Sequence, residues 1–194
     1  MGTLIVRAIA LVAFPIIVFV GVGYLMGRLS DHGQVAQQLL KKFKDEEEKK
    51  RKPLGLRPFG YNLEAVTAYW GALDGKAKEA ERLNLELDLV FPFIYGAAFA
   101  GSLLCAWVAL GRPFHPVWIL TPLFVEVVAD WIENLIQLKQ LKLFTSNQAL
   151  QTSWIQVASV ATIFKYWLFL FSLALVVGLA VWMVYKNWPG APAR

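Results

Sequence analysis

Three long runs of uncharged, mostly apolar residues constrain what this chain can fold into. They cover residues 8–27, 89–111 and 166–185 and contain 20, 23 and 20 residues. At a rise of about 1.5 Å per residue, a helix of about 20 residues crosses the roughly 30 Å hydrocarbon core of a bilayer. The sequence therefore predicts an integral membrane protein.

A fourth run, residues 116–137, has the length and the Val, Ile and Leu content of a span, but it contains Glu126, Asp130 and Glu133. The short stretch GRPFHP before it is typical of a turn, so this run and the preceding one are predicted to form an antiparallel helical hairpin. We therefore predict an all-α fold: an integral membrane four-helix bundle with an amphipathic cytoplasmic helical insertion.

The predicted organisation has four parts. Residues 1–27 form the first transmembrane helix, a signal anchor that is not cleaved because no small-x-small motif follows it. Residues 28–87 form a charged, amphipathic helical segment in the cytoplasm. The remainder is a three-helix membrane bundle at 88–185, with spans at about 88–111, 116–137 and 164–185, and a short tail at 186–194.

The distribution of Lys and Arg predicts the orientation. Fifteen of the 19 lie on one side of the predicted spans, in residues 28–87 and 138–165, and four lie on the other side. Because cytoplasmic loops carry the excess of positive charge, both termini are predicted to lie outside the cytoplasm, as in a bacterial inner-membrane protein with several spans. The basic residues border apolar runs and form no nucleic-acid recognition motif, so membrane lipids are the predicted partners and nucleic acid is not.

The cytoplasmic segment is predicted to be helical. Acid-to-base pairs at i,i+4 spacing occupy residues 45–52 and favour an exposed helix, with a lipid or partner site as the alternative. Asn62 is predicted to cap a second helix, with Glu64 in its first turn. One continuous helix is predicted from Lys76 into the membrane, because no helix breaker precedes Pro92.

The run at 116–137 is the third of the four predicted spans along the chain, and its polar residues share one helical face. Positions 126, 130, 133 and 134 are separated by 4, 3 and 1 residues. A carboxylate at the bilayer centre costs roughly 2.5–3.5 kcal/mol on insertion scales, so this face is predicted to point into the bundle. Residues at the inner ends of the second and fourth spans reach the same depth. The predicted polar cluster is Asp88, Tyr95, Glu126, Asp130, Glu133, Asn134 and Lys165.

Two residues of the second span add detail to this cluster. Pro92 has no N–H, so the backbone carbonyl of Asp88 loses its i+4 helical partner and is free to accept another hydrogen bond. Tyr95 lies two turns after Asp88 on the same face. It is predicted to extend a hydrogen-bonded path toward Glu126.

Three roles remain open for the cluster. In the first, Lys165 neutralises a carboxylate and Asn134 caps others, so that the cluster fixes the helix register. In the second, the excess of acids over the single base binds a lipid amine or a cation. In the third, a buried carboxyl acts as a general acid or base, although no nucleophile–base pair or catalytic motif is recognisable. The single cysteine, Cys105, and the absence of Glu-x-x-His predict neither a metal site nor a cofactor.

Two stretches, residues 59–96 and DWIEN at 130–134, resemble a set of uncharacterised bacterial membrane proteins with several spans. Those proteins carry Gly-Tyr-Ser/Asn, a Leu-Gly-x-x-Gly-Arg turn, Asp-x-x-Phe-Pro-x-x-Tyr and, one span later, Asp-x-x-Glu-Asn. The turn departs from that pattern, since Lys76 stands where the pattern has Arg. The resemblance implies a shared fold without a known activity and favours one site for both acidic motifs. The matching residues are Gly60, Tyr61, Asp88, Phe91, Pro92, Tyr95, Asp130, Glu133 and Asn134.

The leading prediction for function is a non-enzymatic accessory subunit, or a component that binds lipids or a partner, with other membrane-protein subunits as candidate partners. The alternative is a membrane-embedded lipid-modifying enzyme or a proton- or cation-coupled carrier. In that alternative, Asp130 and Glu133 are the titrating groups.

Overall fold

The computed structural model describes residues 2–44 and 52–188, and these residues form helices and turns without a β-strand. The all-helical prediction is thus confirmed for this part of the chain. A 3₁₀ turn, Leu54–Leu56, lies between the second and third α-helices. The seven α-helices in these ranges are α1 Gly2–Leu29, α2 Gly33–Lys42, α3 Leu63–Gly71, α4 Gly75–Leu87, α5 Phe91–Ala109, α6 Val117–Thr145 and α7 Thr152–Lys186.

Three helical stretches of the described chain are long and apolar enough to cross a membrane. They are Gly2–Leu29, Gly75–Ala109 and Thr152–Lys186, and the second combines α4 and α5 across the turn that joins them. α6 also has sufficient length, at 29 residues, but Glu126, Asp130 and Glu133 interrupt its apolar run. It packs against both α5 and α7.

The first apolar core is shared by α1, α5, α6 and α7. Phe19 of α1 shows how the helices meet, since its ring centroid lies 5.2 Å from that of Phe91 on α5 and 4.6 Å from that of Phe169 on α7. Aromatic pairs at such distances add to the free energy gained by burying their area. α1 is therefore held against the other helices by a well-packed contact.

A second apolar core lies where α6 and α7 extend beyond the predicted spans. Helices α2, α3 and α4 pack there against Leu141 of α6 and Ile155 of α7. Trp70 of α3 is almost fully buried, and its ring lies 5.7 Å from that of Phe144. Helices α2, α3 and α4 thus form a helical unit that packs against these two helix ends.

The helix that contains the predicted fourth span begins well before residue 164, the predicted start of that span. α7 begins at Thr152, so Lys165 lies within a continuous helix of 35 residues. No Pro or Gly occurs between Thr152 and Lys165, and polar residues alone do not end a helix. The linker between α6 and α7 is only the six residues 146–151.

The prediction of one continuous helix from Lys76 is wrong, because a turn at 88–90 separates α4 from α5. In this turn the Val90 N–H donates to the Leu87 carbonyl at 2.9 Å. Pro92 has no N–H to donate to the Asp88 carbonyl, which favours the interruption four residues earlier. A proline can thus interrupt a helix upstream of its own position as well as at it.

The predicted cap at Asn62 is confirmed. Its Oδ1 accepts a hydrogen bond from the Ala65 N–H at 2.9 Å, and Glu64 lies in the first turn of α3. The predicted series of acid-to-base pairs falls on residues 45–52, of which 45–51 lie outside the described residues.

Candidate functional site

Lys165 of α7 bridges two carboxylates of α6. Its Nζ lies 2.8 Å from Asp130 Oδ1 and 2.6 Å from Glu133 Oε2. Asp130 and Glu133 are three residues apart, so they stand on neighbouring turns of one helix face, and the Glu133 side chain is fully buried. The three side chains therefore form a buried ionic bridge between α6 and α7.

Asn134 links this bridge to the turn between α4 and α5. Its Nδ2 donates to Asp130 Oδ1 at 3.1 Å and to the backbone carbonyl of Asp88 at 3.2 Å. The neighbouring Trp131 donates from Nε1 to the Leu89 carbonyl at 2.9 Å. Two side chains of α6 thus satisfy consecutive carbonyls where the backbone leaves helical geometry, as buried acceptors require.

Tyr95 and Glu126 extend the cluster toward the first apolar core. The Tyr95 hydroxyl donates to Asp130 Oδ2 at 3.1 Å. Glu126 is 1% exposed and lies beside Tyr95 and Ser172. The Glu126 Oε2 and Ser172 Oγ atoms are buried without a hydrogen-bond partner within the described part of the chain. All seven predicted residues therefore fall in one connected region, with Glu126 at its apolar end.

Gln137 and Tyr61 join the cluster without having been included in the predicted set. The Gln137 Nε2 donates to Glu133 Oε1 at 2.7 Å and to the Tyr61 hydroxyl at 3.0 Å. The Tyr61 N–H donates to Ser159 Oγ of α7 at 2.8 Å. Burial, and secondarily the Glu133 carboxylate, raises the pKa of Tyr61, so its hydroxyl remains protonated.

The residues before Tyr61 close over the ionic bridge. A Cβ added to Gly55 would lie 3.4 Å from Glu133 Oε1 and 3.4 Å from Lys165 Nζ. Farther along, Arg57 is 9% exposed and donates from Nε to the Lys52 carbonyl at 3.2 Å. We call residues 53–61 the closing segment, because they bring the predicted cytoplasmic insertion into contact with the cluster.

The sequence contained a signal for Gln137 but not for the closing segment. Gln137 stands four residues after Glu133 and so lies on the same helix face. Tyr61 matches the resemblance motif, but nothing in the spacing relates it to an acid 72 positions later. Gly55 only brings its backbone close to Glu133 and Lys165. The residue type alone does not predict such a contact.

A second buried polar group lies beside the cluster, between the end of α1 and helices α3 and α4. The Tyr69 hydroxyl donates to Glu81 Oε2 at 3.0 Å, and Glu81 is 3% exposed. His32 Nδ1 lies 3.5 Å from the same oxygen without a hydrogen bond. Burial lowers the pKa of His32, so the neutral imidazole is the favoured form in the folded protein.

Two open grooves accompany these groups, and neither is lined by the ionic bridge. One, of about 870 Å³, lies between α4 and α6. The other, of about 320 Å³, is bordered by Tyr61 and Ser159. Within residues 2–44 and 52–188, no three His, Cys, Asp or Glu side chains are grouped so that they could hold a metal ion.

Comparisons of the chain with protein-family models, with curated proteins and with solved structures find no match. The geometry of the cluster is therefore what a functional proposal has to rest on.

Proposed function

We propose that this protein is a non-enzymatic membrane component, an accessory subunit or a lipid- or partner-binding element, in which the ionic cluster fixes a cytoplasmic helical unit on a bundle of four spans. The single observation that carries the proposal is Lys165, whose Nζ contacts Asp130 at 2.8 Å and Glu133 at 2.6 Å beneath the closing segment. A working site has to admit its substrate, whereas the side chains of this bridge are only 16% (Lys165), 6% (Asp130) and 0% (Glu133) exposed.

The four-span arrangement is supported by the way α6 packs. Its polar residues face the cluster, while Phe124, Ile132 and Leu135 are exposed on other sides of the helix. Intramembrane acids turn toward a bundle interior and pair with one another or with backbone groups, which is the pattern along α6. α6 is therefore the proposed third span. The proposed orientation, with both termini outside the cytoplasm, depends on the distribution of Lys and Arg.

The proposed role of the bridge is to fix the relative position of α6 and α7, more than to raise the stability of the fold. A buried ion pair loses much of its attraction to the cost of desolvating both partners. What it does contribute is a register, since Asp130 and Glu133 meet Lys165 only when α6 and α7 have one relative position. That register also fixes the position of the cytoplasmic unit, through the contacts of Asn134, Gln137 and the closing segment.

A second function is favoured by the charge balance of the cluster. Four carboxyl groups, those of Asp88, Glu126, Asp130 and Glu133, accompany one lysine, and the Glu126 Oε2 has no hydrogen-bond partner in the described chain. An excess of acid along a path from the apolar core to the cytoplasmic unit suits a proton- or cation-coupled carrier or a lipid-modifying enzyme. In that function, Asp130 and Glu133 bind and release the transported or transferred proton.

The experiment that separates these functions compares the Asp130→Asn and Glu133→Gln variants with Glu64→Gln, an exposed acid of α3. Each is purified by affinity from its native membrane and also reconstituted into vesicles that contain a pH-sensitive dye. The accessory role predicts a partner that co-purifies in stoichiometric amount and no proton flux. In the cluster variants, that partner is lost only in proportion to the fraction of unfolded protein. Flux in the wild type and Glu64→Gln, abolished in the cluster variants at unchanged melting temperature, would instead establish the carrier.

A further inference from the structure

We propose that the groove between α4 and α6 binds the phosphate of an anionic lipid headgroup. The groove has a volume of about 870 Å³, and its walls carry four cationic side chains and two carboxylates. This site is separate from the ionic cluster. The groove is lined by Gly75, Lys78, Glu79, Arg82, Glu86, Leu138, Lys139, Leu141, Lys142 and Thr145.

Both carboxylates of the groove are already engaged by one arginine. Arg82 forms ion pairs with Glu79 and with Glu86 on its own helix, the latter at 2.6 Å. These pairs leave the arginine little free charge for a ligand. The electrostatic character of the groove is therefore set by its three lysines.

The three lysines have no carboxylate partner within the described residues. Lys78 Nζ lies 5.2 Å from the centroid of the Phe144 ring, and Lys139 Nζ lies 5.2 Å from that of Trp154. A cation over an aromatic face is held in place without losing its charge. Lys78 is thus positioned by a ring of α6 and Lys139 by a ring of α7, and Lys142 stands one turn beyond Lys139.

The depth of Lys139 and Lys142 matches the headgroup layer, and this step rests on the four-span arrangement proposed above. If α6 enters the hydrocarbon core at Val117, about 20 residues at 1.5 Å each carry it to the inner boundary near residue 137. Lys139 and Lys142 then fall within the following roughly 5–8 Å, where lipid phosphates lie. Leu138, the lining residue nearest that boundary, supplies the apolar wall that would face the glycerol and upper acyl carbons.

A phosphate fits this arrangement because lysines are compact point charges that bind phosphate oxygens from several directions. Lys139 and Lys142, at i,i+3, lie on one face of α6, and Lys78 reaches the groove from α4. A lipid phosphate and free phosphate have the same charged oxygens. The location beside the membrane assigns the site to the lipid, and the experiment below separates the two sources.

Native mass spectrometry of the full chain in neutral detergent tests the proposal, with phosphatidylglycerol, phosphatidylcholine and inorganic phosphate as probes. The wild type is expected to retain phosphatidylglycerol about tenfold better than phosphatidylcholine, and inorganic phosphate at equal concentration is expected not to displace it. The Lys78→Gln/Lys139→Gln/Lys142→Gln variant is expected to lose that preference by about tenfold or more.

The control is the Arg28→Gln/Lys41→Gln/Lys42→Gln variant, which removes the same charge from exposed positions outside the groove. Equal loss of lipid in this control, or equal retention of the two lipids by the wild type, overturns the proposal. Displacement by inorganic phosphate overturns the lipid assignment. If the groove variant melts at a lower temperature than the wild type, Lys142→Glu, at an exposed position, replaces it and is expected to show the same loss. Because binding in detergent does not depend on the number of spans, failure here leaves the four-span arrangement to its own test.

Discussion

Asn134 donates a hydrogen bond from its Nδ2 to the backbone carbonyl of Asp88 at 3.2 Å, and this contact joins the two acidic motifs of the chain. The carbonyl is available because Pro92 offers no N–H to it. The same amide group reaches Asp130 Oδ1 at 3.1 Å. One side chain thus supports both the turn before α5 and the carboxylate that pairs with Lys165.

Replacing Asn134 by Ala is expected to lower the free energy of unfolding by about 1–3 kcal/mol, because the Asp88 carbonyl and Asp130 each lose a donor in a buried region. The loss is measured as a fall in melting temperature in detergent. Gln156→Ala, which removes an amide from an exposed position of α7, is the matched control. Equal melting temperatures of the two variants would show that water replaces Asn134 without cost.

Replacing Lys165 by Met is expected to destabilise the fold by about 3–5 kcal/mol, because Asp130 and Glu133 remain buried without their cation. Thermal unfolding of the purified protein measures this change. The cost should be largely recovered in the Lys165→Met/Asp130→Asn/Glu133→Gln variant, whose three side chains are neutral.

That triple variant also decides what the bridge contributes. Recovery of stability together with an unchanged fold would show that the charges themselves are dispensable. A triple variant no more stable than Lys165→Met would contradict the explanation, since the damage would then come from packing around Lys165 and not from the uncompensated acids.

The apolar runs and the polar face of α6 were predictable because both depend on local spacing. Counting along a helix places positions 126, 130, 133 and 134 on one face, and counting depth brings Lys165 to their level. The structure places Lys165 within contact distance of Asp130 and Glu133. In an apolar bundle, buried opposite charges at the same depth are stabilised by pairing with each other, so the contact between Lys165 and these acids was predictable.

The closing segment was not predictable by the same means. Gly55 approaches Glu133 and Lys165 through its backbone, and Tyr61 reaches Gln137 across a separation of 76 positions. Such contacts follow from tertiary packing of the second apolar core and not from any period in the sequence. The interruption at 88–90 has a local and a distant cause. Pro92 removes one helical hydrogen bond, and α6 side chains distant in sequence donate to the Asp88 and Leu89 carbonyls.

Replacing Gly60 by Ala is expected to loosen the closing segment. Gly60 has a φ of +74°, and an added Cβ would collide with the Ser159 side chain and lie 3.1 Å from Ile163 Cδ1. A residue with a Cβ pays about 1–2 kcal/mol for left-handed backbone geometry before any collision is counted. The Tyr61 N–H, which donates to Ser159 Oγ in the wild type, should therefore exchange with solvent deuterium faster than in the wild type.

The control for this experiment is Gly71→Ala, because a Cβ at Gly71 meets nothing within 4 Å. Its hydrogen-exchange rate at the Tyr61 N–H should equal that of the wild type. Wild-type exchange at Tyr61 in Gly60→Ala would contradict the loosening, because the Tyr61 N–H would then keep its hydrogen bond to Ser159.

Stability is expected to fall at acidic pH through His32. Burial lowers the pKa of His32 below its ordinary 6.5, so the unfolded chain binds this proton at a higher pH than the folded protein does. The contribution of His32 to the free energy of unfolding is therefore complete above about pH 6.5 and is lost as the pH falls below that value. His32→Gln should lose less melting temperature between about pH 7.5 and about pH 5.5 than the wild type, whereas His115→Gln, at an exposed position, should lose as much as the wild type. Equal losses in all three proteins would exclude His32 as the source.

The orientation of the four proposed spans predicts which loops react with a membrane-impermeant maleimide. In a Cys105→Ala background, which removes the only native cysteine, His115→Cys lies in the loop between α5 and α6, and Asn147→Cys lies between α6 and α7. His115→Cys should be labelled in intact cells, because its loop is outside. Asn147→Cys should react only after permeabilisation, because 15 of the 19 Lys and Arg lie on its side.

The two sites test α6 as a span independently of the other helices, since α6 is the helix that separates them. If α6 crosses the bilayer, the labels must fall on opposite sides whichever way the protein inserts. Labels on the same side would place α6 outside the hydrocarbon core and remove the membrane depth assigned to Asp130, Glu133 and the lysine groove. Labels on opposite sides but with the reverse accessibility would keep the four spans and invert the orientation, so that the cytoplasmic assignment of the helical unit α2–α4 would fall while its packing on α6 and α7 stands.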